Sequence, residues 1–311
     1  MLLFFPLSLL YFLFITIKKI FTRKNRVKCK VISVGNILVG GTGKTTLIKY
    51  ILQKIPCKKK VCLVSKGYGI KKDEILLMKR NFPSLFINED KSLKGIKKVE
   101  NQFDLILIDD GFHCLWIKKD IDILLIDFSN PFDNNLLIPA GFLREPKTEI
   151  KRCDVIILTH PHMVDLKKRN EILNFIKRYK KPVFLMKFIL KNIENKTGFF
   201  PCEILKNKIL VAFSGIGNPF NFFYLLLEVN PEKIYCIPFP DHYPYKEADL
   251  KDIEFIAKEK NADYIITTEK DYVKIKYFDF KIPLFFLNID VLIEKTDGID
   301  FDSLIEKIIK L

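Results

Sequence analysis

A chain of 311 residues is long for one hydrophobic core and suits two domains. With 49% hydrophobic and 29% charged residues, it is neither disordered nor fibrous. The 52 basic residues outnumber the 37 acidic ones, giving +15, yet only seven are Arg, a skew typical of AT-rich coding. The charge therefore argues for no nucleic-acid partner; a phosphate-rich substrate or an anionic membrane surface fits it as well. The seven cysteines are odd in number and show no C-x-x-C, which argues against a zinc site or disulfide framework and for a reducing cytoplasm.

Leu2–Ile17 is a nearly unbroken apolar run, interrupted by Pro6 and Ser8. No basic residue precedes it and no cleavage site follows, so it is not read as a secretory signal. A helix starting near Pro6 would be too short to span a bilayer, which takes ~20 apolar residues. Basic residues from Lys18 to Lys30 follow. Residues 1–30 are thus expected to form a monotopic anchor, with docking on the protein's own core and a single membrane span as the alternatives.

From residue 31 apolar runs alternate with helix-like stretches. Strands are expected at Val31–Val34, Val61–Ser65, Leu85–Asn88, Asp104–Ile108, Ile121–Ile126, Asp154–Leu158 and Val183–Met186. Helices are expected at Thr45–Gln53 and Leu166–Tyr179. Strands apolar on both faces, separated by helices, mark a doubly wound α/β fold with a mostly parallel sheet. The polar string K-N-I-E-N-K-T-G sets a linker over 191–204, between a domain at 31–190 and a smaller α/β domain at 205–311. In the latter, strands are expected at Ile209–Phe213, Lys233–Ile237, Asp263–Thr267 and Pro283–Leu287. Helices are expected at Phe220–Leu227, Lys246–Lys260 and Ser303–Ile309.

The first strand enters G-N-I-L-V-G-G-T-G-K-T-T (Gly35–Thr46), followed by a helical pattern, the context a phosphate-binding loop requires. The nucleotide-binding segment is read as Leu38, Val39, Gly40, Gly41, Thr42, Gly43, Lys44 and Thr45. Its glycines let backbone N–H groups converge on phosphate oxygens, Lys44 reaches the β- and γ-phosphates, and Thr45 ligates Mg²⁺. Leu38 stands where the usual motif has its first glycine. Val39 stands where the deviant Walker-A regulatory ATPases carry a lysine, which weakens that rival reading. No N-K-x-D base-reading motif of GTPases is present.

L-I-L-I-D-D-G-F (Leu105–Phe112) is a buried strand ending in two carboxylates at the ligand-binding edge of a parallel sheet. Asp110 is favoured for Mg²⁺ and Asp109 for support, with the reverse left open and Asp127 as a competitor. In P-A-G-F-L-R-E-P (Pro139–Pro146), Arg144 could neutralise phosphate and Glu145 could share the metal. His242 lies in F-P-D-H-Y-P-Y in the second half.

S-V-G-N-I-L-V-G-G-T-G-K-T, S-K-G-Y-G, L-I-D-D-G-F, L-I-P-A-G-F-L-R-E-P, A-F-S-G-I-G-N-P, F-P-D-H-Y-P-Y and T-T-E-K-D-Y-V-K-I together, in this order, resemble the tetraacyldisaccharide 4'-kinases, the lipid A kinases of Gram-negative bacteria. The resemblance covers nearly the whole chain. It implies an ATP- and Mg²⁺-dependent transfer to the 4'-hydroxyl of a lipid A disaccharide precursor at the cytoplasmic face of the inner membrane, with no obligate protein partner evident. It also implies that Asp73, within K-K-D-E-I-L-L, is the catalytic carboxylate and that His242 orients it. That assignment follows a shortened stretch, so Glu74 and Asp109 stand next in line. Lys66 replaces a usual Arg in S-K-G-Y-G, and His113-Cys114 replace Gln-His.

Overall fold

The computed structural model describes residues 4–66, 72–161, 164–294 and 298–310. Gly67–Gly69 of the S-K-G-Y-G string, Met1 and the first two residues of the apolar run lie outside them. The helices are α1 (Phe5–Phe21), α2 (Lys44–Lys54), α3 (Lys72–Asn81), α4 (Leu93–Val99), α5 (Leu166–Lys177), α6 (Pro219–Leu227), α7 (Glu247–Glu259), α8 (Glu269–Ile275) and α9 (Phe301–Lys310). The strands are β1 (Lys30–Asn36), β2 (Val61–Val64), β3 (Phe86–Asn88), β4 (Leu105–Asp109), β5 (Ile121–Asp127), β6 (Val155–Thr159), β7 (Val183–Asn195), β8 (Gly198–Phe200), β9 (Ile209–Ser214), β10 (Lys233–Pro238), β11 (Tyr264–Thr268) and β12 (Leu284–Glu294).

The chain divides into two compact units. The first comprises Met1–Lys66, Leu85–Lys187 and Leu292–Leu311; the second comprises Gly67–Ser84 and Phe188–Val291. In the first unit the strand order is β6-β5-β1-β4-β2-β3, every pairing parallel, with the start of β7 beside β6. β4, β5 and β6 are buried throughout. That is why their sequences read as continuous apolar runs rather than alternations. One core cluster gathers Ile37, Phe112, Leu124 and Ile156; another gathers Val31, Cys62, Ile96 and Ile106. In the second unit the order is β10-β9-β11-β12, with the later part of β7 alongside. Its two clusters centre on Phe222 and Ile266, and on Phe213 and Ile253.

The division departs from a cut near residue 190 in two ways. Residues 72–84 join the second unit because α3 packs on α8 and β7: Asn81 Nδ2 donates to Glu269 Oε1 at 2.8 Å, and Arg80 pairs with Glu194 of β7 at 2.5 Å. The C-terminal helix joins the first unit instead. Asp302 accepts from Tyr50 Oη at 2.6 Å and from Lys54 Nζ at 2.5 Å, and Phe301 meets Phe184 edge-on at 5.4 Å.

The expected linker is largely a hairpin. β7 runs on to Asn195 and returns antiparallel as β8, and Asn195 Oδ1 accepts from Thr197 N at 2.8 Å to shape the turn. Ile193 is fully buried there, so a polar-looking string holds one inward residue of a strand.

Strand β1 ends at Gly35 and Asn36, against the turn after β4. A Cβ built on Gly35 would lie 2.6 Å from the backbone nitrogen of Phe112, which cannot yield as a side chain could. Gly35→Ala is therefore expected to overpack this junction and destabilise the protein by about 1–3 kcal/mol. Denaturant unfolding checks this, and unchanged stability would mean that the turn after β4 gives way freely.

Candidate active site

The parallel register brings the acidic edge of the first unit to the phosphate loop. Val34 of β1 is level with Asp109 of β4 and with Ile123 of β5. The chain leaves β1 through Ile37–Gly43 and enters α2 at Lys44. Gly43 caps α2 with φ of +86°, and Gly40 has φ of +126°. These are positions where an L side chain would be strained, so the two glycines shape the loop. The N-terminus of α2, with Lys44 and Thr45 in its first turn, presents backbone N–H groups suited to an anion.

Two residues of the expected nucleotide segment have other work. Leu38 is buried in the core beside Leu143 and Phe112. The Val39 N–H donates to Phe142 O at 2.9 Å, which removes it from phosphate binding. The segment suited to phosphates is thus Gly40–Thr45. Sequence spacing alone could not show this, because both residues are held by a strand-like contact to the distant 142–144 stretch.

The two adjacent acids separate cleanly. Asp109 ends β4 buried, accepts from Ser65 Oγ at 2.8 Å, and has its own carbonyl held by the buried Lys91 ammonium. Asp110 has left the strand with φ of +50°, a conformation that Asp tolerates better than most residues. Its Oδ2 accepts from Arg144 Nη1 at 2.8 Å. Burial opposes its charge, but Lys44 first, then Arg144, His113 and Lys91, hold its carboxyl well below the usual carboxylate range.

Asp127, the competing acid, is occupied by Ser129 N and Oγ at 2.8 and 2.6 Å and by His160 at 3.2 Å. Glu145 has one oxygen 2.5 Å from His113 Nδ1 and the other on Arg152. Both of its oxygens are thus engaged within the protein.

The residues present fit Mg²⁺ with nucleotide phosphates. Among the described residues Asp110 Oδ1 is buried without a hydrogen-bond partner, its other oxygen lies on Arg144, and the Thr45 hydroxyl stands in the first turn of α2. Oxygen donors of this kind suit a hard cation that keeps water and phosphate in its shell. Among the described residues no cluster of three His, Cys, Asp or Glu side chains forms a metal cage.

Helix α1 belongs to the same unit and is inverted relative to an ordinary surface helix. Its inner stripe is Ser8, Tyr11, Ile15 and Lys19. Ser8 Oγ donates to Leu137 O at 2.8 Å and accepts from Ala140 N at 3.0 Å. Tyr11 Oη donates to Arg144 O at 3.0 Å, and Lys19 pairs with Glu149 at 2.6 Å. Leu9, Leu10, Leu13, Phe14, Ile20 and Phe21 stay exposed. No described helix is long and apolar enough to cross a membrane. The helix is thus docked on the protein, but by its polar edge, and its apolar face remains uncovered.

In the second unit, Asp73 opens α3 and is 2% exposed. His242 Nδ1 lies 2.9 Å from Asp73 Oδ2 and 3.0 Å from Oδ1. Burial opposes the charge on Asp73, but the His242 hydrogen bond and the cations Lys270 and Lys274 outweigh it and hold its carboxyl below the ordinary value. His242 has φ of +59° and donates its N–H to Gly215 O at 3.0 Å. The two residues meet within one unit, which corrects the expectation that they would lie on separate domains.

A family model for tetraacyldisaccharide-1-P 4'-kinase matches residues 1–310. The chain belongs to the tetraacyldisaccharide 4'-kinase family. The tetraacyldisaccharide 4'-kinase of Halothermothrix orenii is 30% identical over 97% of this chain and 91% of its own. That of Rickettsia bellii is 32% identical over 87% of this chain and 84% of its own. The crystal structure of LpxK from Aquifex aeolicus in complex with ATP matches with a TM-score of 0.71 and 27% identity, covering 98% of each chain. In this member of the tetraacyldisaccharide 4'-kinase family, sequence reasoning gave no role to Ser65, Lys91 or Lys270. Ser65 and Lys270 stand inside the quoted strings S-K-G-Y-G and T-T-E-K-D-Y-V-K-I, and that was the available signal.

The depressed Asp73 carboxyl fixes the sign of a pH effect. Its ionised form contributes stability above the ordinary carboxylate range, and that contribution fades as pH falls through the lower folded-state value. Asp73→Asn is expected to be less stable than the natural protein near neutral pH, with the gap narrowing below pH ~4. Urea unfolding at neutral and acid pH measures it; a gap independent of pH would mean that the charge on Asp73 contributes nothing to folding.

Proposed function

We propose that this chain transfers the γ-phosphate of ATP to the 4'-hydroxyl of a tetraacyldisaccharide 1-phosphate, the lipid A precursor, while bound peripherally to the cytoplasmic face of the inner membrane. The observation that carries the reading is the buried Asp73–His242 pair. An ionised carboxylate oriented by an imidazole is what an alcohol substrate needs, and a regulatory ATPase whose output is a conformational switch has no use for it.

In this reading Gly40–Thr45 and Lys44 hold the nucleotide phosphates. Lys44 and Arg144 neutralise charge on the transferring group. Thr45 and Asp110, with Asp109 buttressing the turn, would hold Mg²⁺, which supplies further neutralisation of the phosphate oxygens. Glu145, committed to His113 and Arg152, orients the turn that carries Arg144. Asp73 accepts the proton of the sugar hydroxyl as its oxygen bonds to the γ-phosphorus and the bond to the bridging oxygen breaks, releasing ADP.

The membrane assignment rests on the uncovered apolar face of α1 and on the exposed Arg23, Lys24, Arg26 and Lys28 that follow it. Lys19 and Lys30 are paired within the protein, to Glu149 and Asp120.

Incubation with labelled ATP and the lipid disaccharide tests the activity. Lys44→Ala is expected to lower turnover by roughly 10²–10³ with the fold intact. Near-normal turnover by a folded Lys44→Ala protein would take the phosphate loop out of the mechanism. For the membrane, Leu10→Asp with Phe14→Asp is expected to move the protein to the soluble fraction, because both side chains face away from it. High salt alone is expected to release little, since salt screens charge but not apolar insertion. Full release of the natural chain by salt would refute the apolar anchor.

A further inference from the structure

Lys270, in the first turn of α8, has no part in the mechanism above. Its ammonium lies 3.5 Å from His242 Nε2, 3.6 Å from Glu74 Oε1 and Asp241 Oδ1, and 3.8 Å from Asp73 Oδ2. None of these carboxylates lies at the 2.7–2.9 Å of a close charge-assisted pair. The neighbouring cation is placed differently. Lys274 is committed to Asp271 Oδ1 at 2.7 Å and to Tyr243 O at 3.1 Å, and it stands 3.9 Å from Asp73.

His242 therefore faces a carboxylate on one ring nitrogen and an ammonium on the other. An ionised carboxylate only accepts hydrogen bonds, so Nδ1 must carry a proton. An ammonium only donates, so the nitrogen it faces must offer a lone pair. Asp241 Oδ2, 3.7 Å from Nε2, pulls the other way, but Asp241 also faces Lys270, which offsets it. The His242 side chain is only 14% exposed, and the backbone that carries it is closely packed. A side chain on Gly215, which anchors the His242 backbone, would meet Tyr245, Tyr243 and Asp271 within 3.2 Å. Tyr243 in turn packs on Phe239 with ring centroids 4.8 Å apart.

We propose that Lys270 is a positioning residue that holds His242 as the neutral imidazole protonated at Nδ1, keeping Asp73 an ionised base with lone pairs left for the sugar hydroxyl. The proposal rests on the kinase reading above. A doubly protonated His242 would bind Asp73 as an ion pair and weaken it as a base. Lys270 opposes that protonation from one side while Asp73, Glu74 and Asp241 favour it from others. Removing its charge tips the balance towards the imidazolium.

The test uses the full chain in detergent micelles with ¹⁵N-labelled histidine. The His242 resonances are assigned by their loss in His242→Gln. In the natural protein near pH 7.5, within the range where histidine charge is set by its surroundings, Nδ1 is expected to be protonated and Nε2 bare. In Lys270→Met the His242 titration and the acid limb of kcat/KM are both expected to move upward by roughly one pH unit or more. Lys270→Arg is expected to restore both, and the KM for ATP should stay unchanged in each variant.

A proton on Nε2 of the natural protein at that pH, or a titration unmoved by Lys270→Met, overturns the proposal. If Lys270→Met does not fold, the tautomer of the natural chain still decides. A natural chain with the expected tautomer but no lipid kinase activity would defeat the kinase reading and leave the role of Lys270 on His242 standing.

Discussion

The parallel pairing of β1 with β4 and β5 decides where the charged groups of the first unit end up. Strands running the same way deliver their carboxyl ends to one edge, so the phosphate loop after β1 and the acids after β4 arrive together without any sequence proximity. The closeness of that arrangement depends on Gly35, where the backbone of the turn after β4 occupies the space of a side chain. Once the turn is seated, Asp110 swings out of the strand and faces Lys44 and Arg144, while Asp109 stays inside on Ser65. One backbone rotation thus gives two neighbouring, identical residues two different surroundings.

Both candidate chemical centres carry a non-glycine residue at positive φ, Asp110 in the first unit and His242 in the second. Such a conformation costs of order 1–3 kcal/mol and persists only where the surroundings fix it. Here they do. The N–H of Gly111 donates to Val34 O at 3.0 Å and that of His242 to Gly215 O at 3.0 Å, so hydrogen bonds to strand ends hold both turns. In each case the turn re-aims a polar side chain away from the path an extended strand would give it. Asp110 itself, and the Asp73 carboxyl that His242 meets, are each ringed by cations and hydrogen-bond donors, which keeps both carboxylates ionised at neutral pH despite burial.

Helix α1 ties an exposed apolar surface to the same edge. Its hydrogen bonds run to Leu137, Ala140 and Arg144, and the 142–144 stretch is itself bonded to Ile37 and Val39 at the start of the phosphate loop. The inverted pattern of the helix follows from these contacts. Ser8, Tyr11 and Lys19 are used inward as partners for a loop with many backbone groups to satisfy, and the apolar side chains are left outward.

The sequence by itself determined the parts whose physics is local. Glycines at Gly40 and Gly43 signal a loop that needs positive φ, continuous apolar runs signal strands covered on both faces, and the apolar run after Pro6 signals a helix. The tertiary structure alone decided how distant groups were paired. It showed that Asp110 rather than Asp109 faces Lys44 and Arg144, and that the oxygens of Glu145 are taken by His113 and Arg152. It assigned α3 to the second unit by its packing on α8, which put Asp73 against a histidine 169 residues away and a lysine of T-E-K-D against both. The reason is that a carboxylate's chemistry is set by the charges and donors within a few ångströms, and those neighbours come from loop closures and packing that local sequence does not encode.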